Sequence, residues 1–200
     1  MPKISLGNPK LHRPKAGDEP FLPSGKPRSE ARLDMVYRTL GTYALAYKEA
    51  ADCIIRCALR RRAVYPDREV LPAAFLYRHY LELKLKEIIC RGQRLCGGNA
   101  SLPAGHELLS LWKRARPFLE ELWPEQDRMA LAVVENCVTR FDQVDRLSQD
   151  FRYPTDRKGS ETLRSLARVD IRNLKRVMAG VAGFLDGCVD GIDYLNSNQP

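Results

Sequence analysis

The sequence predicts an all-α fold: an antiparallel four-helix bundle with one extra short helix, preceded by a disordered N-terminal arm. Three observations predict it. Apolar residues recur at alternating steps of four and three in long stretches. One further stretch is apolar over most of its girth, as a central helix is. Few segments show the residue-by-residue alternation of strands. The chain has 200 residues and is 44% hydrophobic, enough to bury a core, which excludes global disorder. No apolar run approaches the ~20 residues of a membrane span, so no membrane partner is expected.

The first division falls at residue 28: an arm over 1–28, then a helical domain over 29–200. The arm holds Pro2, Pro9, Pro14, Pro20, Pro23 and Pro27, a density that forbids helix. Lys3, Lys10, Arg13, Lys15, Lys26 and Arg28 outweigh Asp18 and Glu19 there, so half of the formal excess of +8 sits on the arm. Such an arm meets phosphate backbones or acidic surfaces without specificity, or simply keeps the chain dispersed. No apolar stretch follows the opening MPKISLGNPKLHRPK, so no secretory signal is read and a cytoplasmic location is expected.

Ser29 is the expected N-cap of the first helix. Leu33, Tyr37, Leu40, Ala44, Tyr47, Ala51, Ile54 and Ala58 then form one stripe. Arg56, Arg60, Arg61 and Arg62 crowd its end, where cations complement the helix dipole. Tyr65-Pro66-Asp67 makes a turn, and Pro72 is expected to begin a second helix reaching about Cys90. On this otherwise apolar rod Arg78, Glu82 and Lys86 lie four apart, and His79 joins Glu82 at a spacing of three.

Residues 91–105 form a glycine-containing loop with no phosphate-cradling signature. A short helix, HELLSLWKRA, is expected to stop near Pro117. After a turn at Trp123-Pro124, a long helix is expected from about Glu125 to Arg152. Its face reads Leu131, Val134, Val138, Phe141, Asp145, Ser148 and Arg152, so the stripe turns polar without leaving register. Pro154 ends it, TDRKGS is a turn, and ETLRSLARV is extended or a short hairpin. Asp170 caps the last helix, whose stripe is Leu174, Met178, Val181, Leu185, Cys188, Ile192 and Leu195. Gly180, Gly183, Gly187 and Gly191 lie beside that stripe. Glycine costs a helix roughly 1 kcal/mol relative to alanine, so four suggest the close approach of another helix.

Six cysteines are scattered through the periodic segments with no Cys-x-x-Cys pair, and they read as reduced core residues. A zinc set of Cys90, Cys96, His79 and His106 matches no common module, and no metal or cofactor is expected. The polar residues of the second helix and of the fourth helix's end are the candidate site. His79, Glu82 and Arg152 are the candidate catalytic groups: His79 moves a proton, Glu82 orients it and Arg152 holds a phosphate in its planar fork. Arg78, Arg152, Tyr153 and Arg172 are candidate phosphate or nucleotide ligands. The competing reading makes Arg78, Glu82, Asp145 and His106 a structural ion-pair network that fixes helix register.

Two short motifs carry a family likeness. Glu82-Leu83-Lys84-Leu85-Lys86, a loop, and then Gly105-His106-Glu107-Leu108-Leu109-Ser110-Leu111 resemble the HEPN superfamily of helical nucleotide-binding domains, over roughly residues 30–195 in element order. The stretch DRLSQDFRYP, residues 145–154, resembles a signature of uncharacterised bacterial HEPN-like proteins. Many HEPN proteins are metal-independent ribonucleases with an Arg, four to six residues, then a His near the start of the last helix. Here Arg172-Asn173 opens that helix as the motif does, but no histidine follows; His12, His79 and His106 all precede residue 107. The resemblance therefore implies a module that binds RNA or a nucleotide, or regulates a partner such as a nucleotidyltransferase or an antitoxin, without the standard cleavage. The alternatives are a divergent metal-independent ribonuclease, as in a toxin or phage-defence effector, and a helical interaction module that forms a homodimer.

Overall fold

The computed structural model describes residues 14–33, 38–61, 66–122 and 128–198. The chain divides into two compact units, residues 1–36 and 37–200. In the first unit the described residues form turns without helix or strand. The Ser29 hydroxyl, expected as a helix cap, instead donates to the Lys26 carbonyl at 3.2 Å. The expectation for the first half of the arm falls on residues 1–13, outside the described residues.

The second unit is all-α. It contains α1 (Leu40–Arg60), α2 (Asp67–Leu95), α3 (Leu108–Leu122), α4 (Arg128–Val144) and α5 (Ile171–Ser197), and no strand among the described residues. None of these helices is long and apolar enough to cross a membrane.

α1 is capped ten residues later than expected, at Thr39 rather than Ser29. The Thr39 hydroxyl accepts the Thr42 N–H at 3.1 Å. α2 begins five residues before Pro72, with Asp67 and Glu69 complementing the dipole of its first turn. Pro72 and Pro117 both lie inside helices, at exposed positions where water can satisfy the carbonyl that each proline leaves without an N–H.

α2 is the centre of the unit. Ala73, Tyr77, Leu81, Leu85 and Ile88 are wholly buried, and the helix packs on α1, α3 and α5, while α4 packs on α3 and α5. Gly92 allows the closest approach: a Cβ there would lie 2.5 Å from the Phe118 ring of α3. The expected close approach is not seen at three of the four α5 glycines among the described residues. A Cβ on Gly180, Gly183 or Gly187 would meet nothing within 4 Å, because these residues face outward. Asp170 does cap α5, accepting from the N–H groups of Arg172 and Asn173 at 2.9 and 3.1 Å.

α4 stops at Val144 rather than continuing to Arg152. Beyond it the chain folds back over the Asp145 carboxylate, which accepts the N–H groups of Gln149 and Asp150 at 2.6 and 3.1 Å. Ser148 takes a positive φ of 60° in that reversal. The segment from Tyr153 to Thr162 then closes as a small loop. Thr155 and Glu161 form a single antiparallel bridge, and Asp156 accepts from the N–H groups of Lys158 and Ser160. The extended stretch or hairpin expected over residues 161–169 reduces to that one bridge.

Candidate functional site

Arg78 is fully buried, and every edge of its guanidinium is engaged. Nε donates to the Asp145 carbonyl at 2.8 Å and lies 3.6 Å from the Asp145 carboxylate. Nη1 donates to Glu82 at 3.0 Å. Nη2 donates to the carbonyls of His106 at 2.5 Å and Arg146 at 3.1 Å. These bonds explain why α4 ends where it does. Carbonyls at the end of a helix need outside partners, and Arg78 supplies one to residues 145 and 146. The same side chain ties down the loop before α3 and the chain after α4, both to the middle of α2.

Glu82 is 1% exposed. One oxygen faces Arg78; the other accepts Lys86 Nζ and His106 Nδ1, each at 2.9 Å. Burial alone would push its carboxyl up, but the bonds from Lys86 and His106 overcome this and hold it below the usual carboxylate range. An ionised carboxylate only accepts, so His106 carries its proton on Nδ1. Nε2 takes no part in that bond, and the side chain is 63% exposed. Arg146 stands beside it, exposed, with Nε on Glu107 at 3.0 Å.

His79 does not reach Glu82 through a hydrogen bond. Its ring sits between two aromatic rings, edge-on to Tyr47 at 4.5 Å and stacked on Phe75 at 6.0 Å. Burial lowers its pKa, outweighing the Glu82 charge that acts in the opposite direction. The imidazole is therefore neutral at pH 7, and the expected orientation of His79 by Glu82 gives way to ring packing.

Arg152 lies beyond Phe75 on the exposed surface. Its guanidinium carbon is 5.4 Å from the centre of the Phe75 ring and 5.5 Å from that of Tyr153. Nε donates to the Ser148 carbonyl at 2.7 Å, which fixes the stem. Arg152, Tyr153 and Arg164 line an open cavity of about 480 Å³ together with the carboxylates of Asp150 and Glu161, the latter 3.6 Å from Arg164 Nε, and its apolar wall is Leu71, Phe151 and Leu163. A second cavity of about 540 Å³ shares that wall and continues toward Arg168 and Ile171. Leu163 holds a φ of 57°, a left-handed conformation that a branched-chain residue adopts at a cost of roughly 1–2 kcal/mol.

The structure thus separates the predicted residues into two groups. Arg78, Glu82, Asp145 and His106 converge in one network; Arg152 and Tyr153 form a surface with Phe75 behind it and His79 behind Phe75. Arg172 is exposed in the first turn of α5 and bonds to neither group among the described residues. Phe75 and Arg164 were not among the predicted site residues, and Lys86 was placed on the polar stripe without a role of its own. Phe75 and Lys86 stand one turn from His79 and Glu82 on α2, so helical spacing was the signal available. Among the described residues no three His, Cys, Asp or Glu side chains are grouped to hold a metal ion. Cys90 instead donates to the Ser101 carbonyl, and Cys96 is exposed. Comparisons with known protein families, curated proteins and solved structures find no match to this chain.

Proposed function

We propose that the chain is a HEPN-like antiparallel helical bundle that binds RNA or a nucleotide and lacks the standard HEPN cleavage site. The observation that carries this reading is Arg152. A planar cation held against Phe75 and Tyr153, at the mouth of a cavity with Arg164, offers one face to a base and its edge to a phosphate. Tyr153 is 56% exposed, a large ring left open for stacking. The net charge of +8 favours a polyanionic partner. Fluorescence anisotropy with short single-stranded RNA and with ATP tests it. Wild type binds one of them, and Arg152→Ala weakens binding roughly tenfold with the melting temperature unchanged. A wild-type protein that binds neither at physiological salt overturns the reading.

A second reading, a divergent metal-independent ribonuclease, is favoured by the Glu82–His106 pair. A buried carboxylate holds Nδ1 and leaves Nε2 out of the bond on a largely exposed ring, the geometry of an oriented general base. His106 would take the proton of an RNA 2′-hydroxyl. The 2′-oxygen would bond to phosphorus as the bond to the 5′-oxygen breaks, and water would protonate the leaving oxygen, giving a 2′,3′-cyclic phosphate. His106→Asn removes the base and should abolish that product; cyclic phosphate formed equally by the variant refutes this reading.

A further inference from the structure

A cavity of about 380 Å³ lies between the start of α1 and the last turns of α2, away from both groups above. Three guanidiniums line it, those of Arg38, Arg91 and Arg94, against one carboxylate, that of Glu87. Glu87, Cys90, Arg91 and Arg94 fall at steps of three, one and three, so a single face of α2 supplies most of the wall.

The single carboxylate is already committed. Glu87 is 4% exposed and accepts Lys84 Nζ at 2.9 Å, Arg91 Nη2 at 2.7 Å and Arg91 Nε at 3.1 Å. It also lies against the first turn of α1, where a Cβ on Gly41 would come within 2.6 Å of its oxygen. The positive end of α1 is thereby compensated by Glu87 and is not what makes this cavity cationic. Arg91 is fixed further by Asp193 of α5. The guanidiniums of Arg38 and Arg94 are different. Both are exposed, and neither pairs with a carboxylate among the described residues. Two uncompensated cations therefore share a concave wall with a third whose position is locked.

We propose that this cavity binds a terminal phosphate: a phosphate monoester, either at the end of a nucleic acid chain or on a small phosphorylated ligand. The charge decides between ester types. A monoester carries about −1.5 to −2 at neutral pH, whereas an internal phosphodiester carries a single charge. Two free guanidiniums match the former. Bidentate arginine contacts suit its three oxygens, and the side chains converge from two elements rather than forming a flat patch.

The test compares a short RNA carrying a 5′-phosphate with the same RNA carrying a 5′-hydroxyl, using the full chain. Thermal stabilisation by inorganic phosphate alone forms a second arm. The phosphorylated end should bind roughly tenfold tighter. Arg94→Ala and Arg38→Ala should each remove the preference, Arg94→Lys should keep part of it, and Arg152→Ala should leave it intact. If the two RNAs bind alike but inorganic phosphate stabilises wild type and not Arg94→Ala, the ligand is the small phosphorylated one. If neither arm responds to Arg38→Ala or Arg94→Ala, the proposal is overturned. Weaker binding of both RNAs in Arg152→Ala, with the preference and the phosphate response retained, separates this site from the Arg152 surface.

Discussion

Arg78 and Arg152 carry the same side chain and serve opposite ends. Arg78 is wholly enclosed, and its donors are spent on Glu82 and on three carbonyls of the chain itself. Arg152 spends Nε on the Ser148 carbonyl and keeps an exposed face beside two rings. What separates structure from function here is how many donors the fold has already satisfied. A buried guanidinium with no free edge has nothing left for a phosphate, so Arg78 belongs to the scaffold and not to the candidate ligands.

The largest expected effect breaks that contrast at its buried end. Arg78→Met leaves the Glu82 carboxylate with one cation fewer and removes the partner of three carbonyls. Deleting one member of a buried ion pair costs about 3–5 kcal/mol, which chemical denaturation reads directly. Arg152→Ala should stay within about 0.5 kcal/mol, as exposed substitutions do. Equal losses for the two variants would mean that the difference in burial does not divide their roles.

Glu82 sharpens the comparison through pH. Its folded pKa lies below the ordinary 4.5, so it contributes stability that is present above 4.5 and is lost as pH falls through the folded value. Wild type should lose stability on acidification below that point. Glu82→Gln should start less stable at neutral pH and show a shallower loss in the same acidic window. Parallel curves would show that the carboxylate is not the group that the network ionises.

The helical class was readable because apolar periodicity is a local property of the chain. So was the cap at Asp170, since a carboxylate before an apolar stripe needs no distant partner. The end of α4 was not readable. Asp145, Ser148 and Arg152 keep the register of the stripe, and only Arg78, 67 residues earlier, takes the carbonyl that ends the helix. The start of α1 failed for a related reason: Leu33 continues the apolar spacing although the chain there is turn. At the candidate site, the spacing of Arg78, Glu82 and Lys86 foretold a shared stripe. It did not foretell that His106 would bond to Glu82 while His79, three residues from Glu82, would pack between rings.

The smallest expected effect concerns His79. His79 is neutral because burial lowers its pKa, so it contributes stability that is present above 6.5 and is lost as pH falls below it through the folded value. Phenylalanine keeps a ring between Tyr47 and Phe75 but has nothing to protonate. His79→Phe should match wild type at pH 8 to within about 1 kcal/mol, as shape-conserving swaps do. On mild acidification from 6.5, wild type should fall away and the variant should not. Because Glu82 keeps its partners in both proteins, the loss below 4.5 should survive in His79→Phe. A variant that loses both transitions would place His79 inside the Glu82 network, and the division between buried scaffold and exposed surface would have to be redrawn around it.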